Sequence, residues 1–199
     1  MPTQSILVII FACLLYGGLH SLLAARSVRQ RVSTWLGPRG QRFYRLAYNL
    51  VAGLTALPLF WLAVRLPDAP LYAIPFPWLG LTLLAQFLGL LGLGLAVSQT
   101  GAISFLGLDA FVPARPAPPA QLVTTGLYRW VRHPIYTCSL LVLWPVPAMS
   151  WNLLALALGL TAYIFIGIYF EERKLLAEFG EAYAEYRRKT PMIIPLRIR

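Results

Sequence analysis

The chain has 199 residues, of which 58% are hydrophobic and only 12% charged, and its formal net charge is +10. A mean hydropathy of +0.66 leaves more apolar surface than a water-soluble body of this size can hide, which excludes a soluble enzyme and implies an integral membrane protein. The length suits one compact transmembrane domain, 1–199, with no room for a separate soluble catalytic domain.

A hydrocarbon core of about 30 Å needs about 20 helical residues. The first charge-free stretch, Met1 to Ala25, supplies a span at about 4–25. It lacks a basic leader and a small-residue cleavage site followed by soluble sequence, so it reads as a retained helix rather than a signal peptide. The second span, 46–64, lies between Arg45 and Arg65. Pro67, Pro70, Pro75 and Pro77 then punctuate a loop that cannot be helical throughout. The third span covers 78–97, where Gly89, Gly92 and Gly94 favour close helix packing. Pro113, Pro116, Pro118 and Pro119 predict a stiff, extended connector. No charge occurs from Ile135 to Phe170, a stretch that would be about 54 Å long as one helix. Pro145, Pro147 and Asn152 in its middle predict a hairpin with spans at 134–148 and 151–171. The expected fold is therefore an all-α integral membrane bundle of about five transmembrane helices. Its tail, 172–199, carries Leu175, Leu176, Phe179, Tyr183 and Tyr186 at helical spacing, a pattern that predicts an interfacial amphipathic helix loosened at Gly180.

Charge placement tests this count, because Lys and Arg concentrate on the cytoplasmic side. With the amino terminus outside, Arg26, Arg29, Arg31, Arg39, Arg42 and Arg45 lie inside. So do Arg115, Arg129 and Arg132, and the tail residues Arg173, Lys174, Arg187, Arg188, Lys189, Arg197 and Arg199, while Arg65 falls outside. The lipid bilayer and its anionic headgroups account for the net charge, and no nucleic-acid partner is required. Cys13 and Cys138 sit in or beside spans with no metal or disulfide spacing and read as small packing residues.

The most informative polar cluster is Arg132-His133-Pro134, with Tyr136 one residue further. Pro134 suits the first turn of a helix, which places Arg132 and His133 at its amino-terminal end. Free backbone donors, the helix dipole and a guanidinium fork together resemble an anion seat. The alternative is an interfacial arginine reaching lipid phosphate beside a histidine that caps the helix. Glu171 and Glu172 close the same apolar run, and the hairpin brings them back toward Arg132. Anionic headgroups would repel them unless a cation is close, and Arg173 and Lys174 are rival partners. A ligand carrying both a carboxylate and a cation would complement the combined cluster.

Leu122-Val123-Thr124-Thr125-Gly126-Leu127-Tyr128, Arg132-His133-Pro134-Ile135-Tyr136, Glu171-Glu172 and Phe179-Gly180 through Tyr183, Tyr186, Pro191 and Pro195 form an ordered set of motifs. Over roughly residues 120–195 this set resembles the isoprenylcysteine carboxyl methyltransferase-like membrane proteins. His20-Ser21, Arg42-Phe43-Tyr44-Arg45-Leu46, Tyr48-Asn49 and Phe105-Leu106-Gly107-Leu108 resemble the narrower methanethiol S-methyltransferase and NnrU-like branches. The resemblance implies S-adenosylmethionine as methyl donor, held near the cytoplasmic surface of what would be a bacterial inner membrane. It places Val123, Thr124, Gly126, Tyr128, Arg132, His133, Pro134, Tyr136, Glu171, Glu172 and Tyr183 around that donor. Tyr183 or Tyr186 would cover it.

Methyl transfer from a sulfonium needs alignment and exclusion of water more than acid–base groups, and it needs no metal. A thiol acceptor reacts as thiolate, so His20, Arg132 and His133 are the candidates for handling its proton. His20 reads equally as a polar contact to Tyr48 or Asn49 on the next helix. The expected activity is methylation of a small thiol or lipophilic acceptor. The alternatives are phospholipid N-methylation, prenyl-cysteine carboxyl methylation, or a non-catalytic NnrU-like role in nitrogen-oxide metabolism.

Overall fold

The computed structural model describes residues 2–112 and 121–196, without the Arg39 side chain. The connector prolines Pro113, Pro116, Pro118 and Pro119 lie outside the described residues, as do Arg115, Arg197 and Arg199. In chain order the elements are α1 (Pro2–Ala24), α2 (Arg26–Arg65), β1 (Pro70–Ala73), α3 (Trp78–Gln99), α4 (Ala102–Leu106), α5 (Pro134–Leu143), β2 (Ala148–Ser150), α6 (Trp151–Phe179) and α7 (Glu181–Lys189). Single 3-10 turns cover Leu108–Phe111 and Gly126–Arg129, and β1 and β2 form a two-stranded sheet.

The all-α membrane fold is present. Pro2–Ala24, Gly40–Arg65, Trp78–Gln99 and Trp151–Phe179 are each long and apolar enough to cross a bilayer. Large apolar side chains such as Leu14, Leu54, Trp61 and Phe87 stay more than half exposed, as lipid-facing groups do. The segment expected as a span at 134–148 differs. It forms only the ten-residue α5, about 15 Å long. The helix ends at Leu143 because Pro145 and Pro147 follow at once, and neither can donate to a helical ladder. The next helix is correspondingly long: α6 has 29 residues, about 43 Å, so its carboxyl-terminal turns extend past one hydrocarbon thickness. Glu171 and Glu172 therefore lie within α6 rather than at its end. The basic start of α2 is a separate helical piece, because Gly37 has φ 62° and ψ −155° and breaks the helix before Pro38.

The described residues fall into two compact units. The first takes its residues from 1–71, 101–116 and 150–160. Its core joins Ile9 and Cys13 of α1, Leu59 and Ala63 of α2, and Ala155 and Leu156 of α6. Gly159 permits the close approach, since a Cβ there would strike Cys13 Sγ. One end of this unit is tied by Asn152, which is 0% exposed. Its amide faces the carbonyls of Ala63, Leu66 and Pro67 at 3.4, 3.1 and 3.4 Å. These belong to the end of α2 and the turn after it, where helix carbonyls lack partners of their own. Asp68 Oδ1 accepts from the backbone N–H of Asn152 at 3.1 Å and of Ala69 at 2.8 Å. Ser5 adds a bond to the Pro67 carbonyl at 2.7 Å.

The second unit takes its residues from 72–100, 117–149 and 161–199. In it α3 packs on α5, and the reason is small residues: a Cβ on Gly89 would meet Val142 and the Cys138 carbonyl, and one on Gly92 would meet Cys138 Sγ. Gly94 has nothing comparable near it. Gln86 of α3 donates to the Val142 carbonyl at 3.0 Å, satisfying the carboxyl-terminal end of α5. Ile164 and Ile168 of α6 form a cluster with Ile193 of the tail, against Tyr136, Leu140 and Met192.

Replacing Asn152 by Leu keeps bulk but leaves the α2 carbonyls unpaired. The expected loss is about 2 kcal/mol of stability, read as a lower unfolding temperature in detergent. An unchanged temperature would show that these bonds contribute nothing.

Candidate functional site

The candidate site is built by three segments of the second unit: the turn before α5, the turns of α6 that carry Glu171 and Glu172, and α7 with the tail after it. Pro134 is buried at the start of α5, as its ring and missing donor favour, and His133 is the residue before the helix, with φ −123° and ψ 63°. The tail fixes this turn through its backbone. Arg132 N–H donates to the Pro191 carbonyl at 2.9 Å and His133 N–H to the Met192 carbonyl at 3.1 Å. The Thr137 hydroxyl continues the run with the Ile193 carbonyl at 2.8 Å.

Arg132 and Glu172 meet directly. Arg132 Nε lies 2.8 Å and its second terminal nitrogen 2.6 Å from Glu172 Oε1. The remaining guanidinium nitrogen donates to the carbonyls of Arg187 and Thr190 at 3.1 and 2.5 Å. Each of the three guanidinium nitrogens is thus engaged by the protein itself. Both side chains are largely buried, at 10% and 14% exposure, so the pair is poorly screened. His133 is 3% exposed and stands between the glutamates, with Nε2 3.3 Å from Glu172 Oε1 and Nδ1 3.8 Å from Glu171 Oε2. Glu171 is the open member, its side chain 44% exposed. Arg187, also exposed, lies 3.9 Å from Glu172 Oε2.

Three tyrosines complete the cluster. Tyr183 of α7 is 1% exposed, and its hydroxyl has no regular hydrogen bond among the described residues. Burial pushes that hydroxyl's pKa well above the usual tyrosine range, and the charge of Glu172 adds to the effect against the opposing influence of Arg132. The Tyr186 hydroxyl donates to the Tyr128 carbonyl at 2.6 Å and is pushed up to about 12 by burial. Burial raises Tyr128 as well, with Glu171 contributing next. All three hydroxyls therefore stay protonated as donors across the physiological range. Tyr136 stacks obliquely on His133, with ring centroids 5.7 Å apart.

Gly126 opens the 3-10 turn with φ 61°, and a Cβ there would collide with the Gln99 side chain. Gln99 in turn accepts from the Leu127 N–H at 3.0 Å. Val123 is half-buried and Thr124 exposed in the extended stretch leading to that turn. Gln99, Thr190 and Arg187 were missed by sequence reasoning. Gln99 carried a faint signal, as a polar residue ending an apolar span. Thr190 acts through its main-chain carbonyl, and Arg187 through its carbonyl as well as its side chain near Glu172; main-chain groups leave no signature in a sequence. His20 belongs to the other unit. It is 2% exposed, its Nδ1 is 3.4 Å from the Tyr48 hydroxyl and its Nε2 is 3.4 Å from the Thr55 hydroxyl. Asn49 donates instead to the Phe105 carbonyl at 2.9 Å.

Because Arg132 holds the tail as well as Glu172, Arg132→Ala is expected to cost about 3 kcal/mol and to raise amide exchange through residues 181–193. Arg132→Lys, which lacks the fork, should fall between. Unchanged exchange in Arg132→Ala would contradict the clamp.

Comparison with known proteins identifies relatives of the chain. The family model for phospholipid methyltransferases matches residues 78–182. The chain is 31% identical to methanethiol S-methyltransferase 1 of Bradyrhizobium diazoefficiens, over 98% of this chain and 68% of that protein. It is 31% identical to the methanethiol S-methyltransferase of Mycobacterium tuberculosis, over 88% of this chain and 72% of that protein. A more partial match, 30% identity over 51% of each chain, is to the protein-S-isoprenylcysteine O-methyltransferase of Schizosaccharomyces pombe. No solved structure matches. These likenesses remove the non-catalytic alternative: the chain is an enzyme and belongs to the phospholipid methyltransferase family of membrane methyltransferases, to which its likeness to the methanethiol S-methyltransferases also points.

Proposed function

We propose that the chain transfers a methyl group from S-adenosylmethionine to a small thiol of the methanethiol class. The observation that carries the donor assignment is the convergence of Glu171, Glu172, His133 and Tyr183 at the start of α5. A half-exposed carboxylate beside a buried ion pair and a buried tyrosine fits a ligand that carries a cation. The expected role of Arg132 changes, because its fork is spent on Glu172 and the α7 carbonyls. Arg132 and Glu172 thus set the positions of His133 and the tail. Glu171 takes the ammonium end of the donor, and exposed Arg187 together with the main chain of 123–128 takes its carboxylate. Pro134, Tyr136 and Tyr183 wall the site against water. Val123, Thr124, Gly126 and Tyr128 shape its floor through the Gln99-tethered turn.

The bound donor supplies a methyl on a sulfonium, which leaves as a neutral thioether and so demands little acid catalysis. What the protein contributes is alignment and a dry surrounding. The thiol acceptor follows the methanethiol S-methyltransferases that match most of this chain. The arginines Arg26, Arg29, Arg31, Arg42 and Arg45, with no acidic residue before Asp68, support a cytoplasmic placement of the segment joining α1 to the Gly40–Arg65 span. By the same rule the amino terminus is outside, the tail is cytoplasmic, and a bacterial inner membrane is the expected home.

Protein reconstituted in lipid discs with methyl-labelled donor should convert methanethiol to its methyl thioether. Label appearing only in a prenyl-cysteine ester or in a phospholipid amine would contradict the thiol reading. Glu171→Gln is expected to raise the donor KM about tenfold with kcat little changed, the signature of a lost ground-state contact to a charged group. An unaltered KM would remove Glu171 from the site.

A further inference from the structure

The basic stretch between the first two spans is a helix in its own right. Ala25, with φ −64° and ψ 136°, separates it from α1, and Gly37, with φ 62° and ψ −155°, separates it from the Gly40–Arg65 span. Side chains rarely tolerate the backbone of Gly37, so the second break is written into the residue type. The piece between, residues 26–36, is about 16 Å long and too short to cross a bilayer. Its neighbours on both sides are spans, so it starts and finishes at one membrane face. The two spans are joined near that face by the Tyr44 hydroxyl, which donates to the Leu23 carbonyl.

This short helix has two different sides. At about 100° per residue, Val28, Val32, Trp35 and Leu36 share one arc about 100° wide. Arg31 borders the arc on one flank and Arg29 on the other, with Arg26 beyond Arg29, while Ser27, Gln30 and Thr34 take the far side. The apolar arc is uncovered where it is bulkiest, for Trp35 is 83% and Leu36 66% exposed, against half-buried Val28 and Val32. The three arginines are exposed as well. Among the described residues no carboxylate forms an ion pair with any of them. Of the two acidic residues in this unit, Asp68 lies past the far end of the second span and Asp109 accepts from the Ser104 hydroxyl.

Water suits the arginines but not an adjoining tryptophan and leucine, and hydrocarbon suits the reverse. The headgroup boundary suits both, with the indole at the acyl edge and guanidinium groups at the phosphates. A protein groove would cover the apolar arc and leave the flanking charges unexplained. Arginines on both flanks of a helix lying flat reach phosphates to either side of it. We propose that residues 26–36 lie in the membrane interface and gather anionic phospholipids, with Arg26, Arg29 and Arg31 on the phosphates and Trp35 and Leu36 in the acyl boundary. A zwitterionic headgroup carries its own cation beside the phosphate, so it competes poorly for these arginines.

The test uses the full chain in phosphatidylcholine discs in which a fixed fraction of the lipid is brominated, as either phosphatidylglycerol or phosphatidylcholine. Bromine quenches a nearby indole, and the Trp35 signal is the difference between the wild-type protein and Trp35→Phe. At low salt, brominated phosphatidylglycerol is expected to quench Trp35 about threefold more effectively than brominated phosphatidylcholine. In about 1 M salt, where screening acts within about 3 Å, the preference should fall to parity. The combined replacements Arg26→Gln, Arg29→Gln and Arg31→Gln should abolish the preference while both lipids still quench. The salt comparison needs no variant and serves if the triple replacement does not insert. Equal quenching by the two lipids at low salt would overturn the recruitment of anionic lipid. Quenching by neither would place Trp35 in water, or against a second copy or another protein, and would overturn the interfacial helix itself.

Discussion

The second unit depends on one buried ion pair. Arg132 and Glu172 are held at 2.6 Å with little water around either, and a charge so placed is tolerable only if all its donors and lone pairs find partners. All three guanidinium nitrogens of Arg132 find partners, the third of them in two carbonyls at the end of α7 and its cap. The result is more than neutralisation. The same guanidinium that pairs with α6 also fixes α7, and the tail beyond α7 then supplies carbonyls to the N–H groups of Arg132 and His133. His133 is thereby placed between two glutamates, and Tyr183 is buried within reach of the charges of Glu172 and Arg132. Removal of either Arg132 or Glu172 strands the other in a weakly screened setting.

The first unit solves a different problem in the same solvent. Lipid gives no hydrophobic drive between helices, so association rests on close approach and on polar bonds. Gly159 against Cys13 supplies the approach, and Asn152 with Asp68 and Ser5 supplies the bonds at one end. His20, Tyr48 and Thr55 form a second polar group there. α6 contributes to both units, its first turns carrying Asn152 and Gly159 and its last turns carrying Glu172.

The membrane class and most helices were legible in the sequence because an apolar run of about 20 residues between charges fits a bilayer span and little else. The hairpin was legible from Pro145 and Pro147, though its first arm proved to be ten residues rather than a full span. Hydropathy could not reveal that, since a short apolar helix packed by Gly89 and Gly92 reads the same as a crossing one. The meeting of Arg132 with Glu172 was anticipated from charge and topology. Its directness was not, and the expected anion seat on Arg132 is filled by the protein's own groups. What decided this was the set of carbonyls at Arg187, Thr190, Pro191 and Met192, which any residue type can present.

If the ion pair holds the donor-binding groups in place, the donor pocket lies wholly within the second unit. Ultraviolet cross-linking with labelled S-adenosylmethionine, followed by peptide mapping, locates that pocket. The expected result is saturable labelling, blocked by excess S-adenosylhomocysteine and confined to peptides from 121–136 and 171–193. Labelling that maps to the first two helices, or that does not saturate, would contradict a pocket built around Arg132 and Glu172.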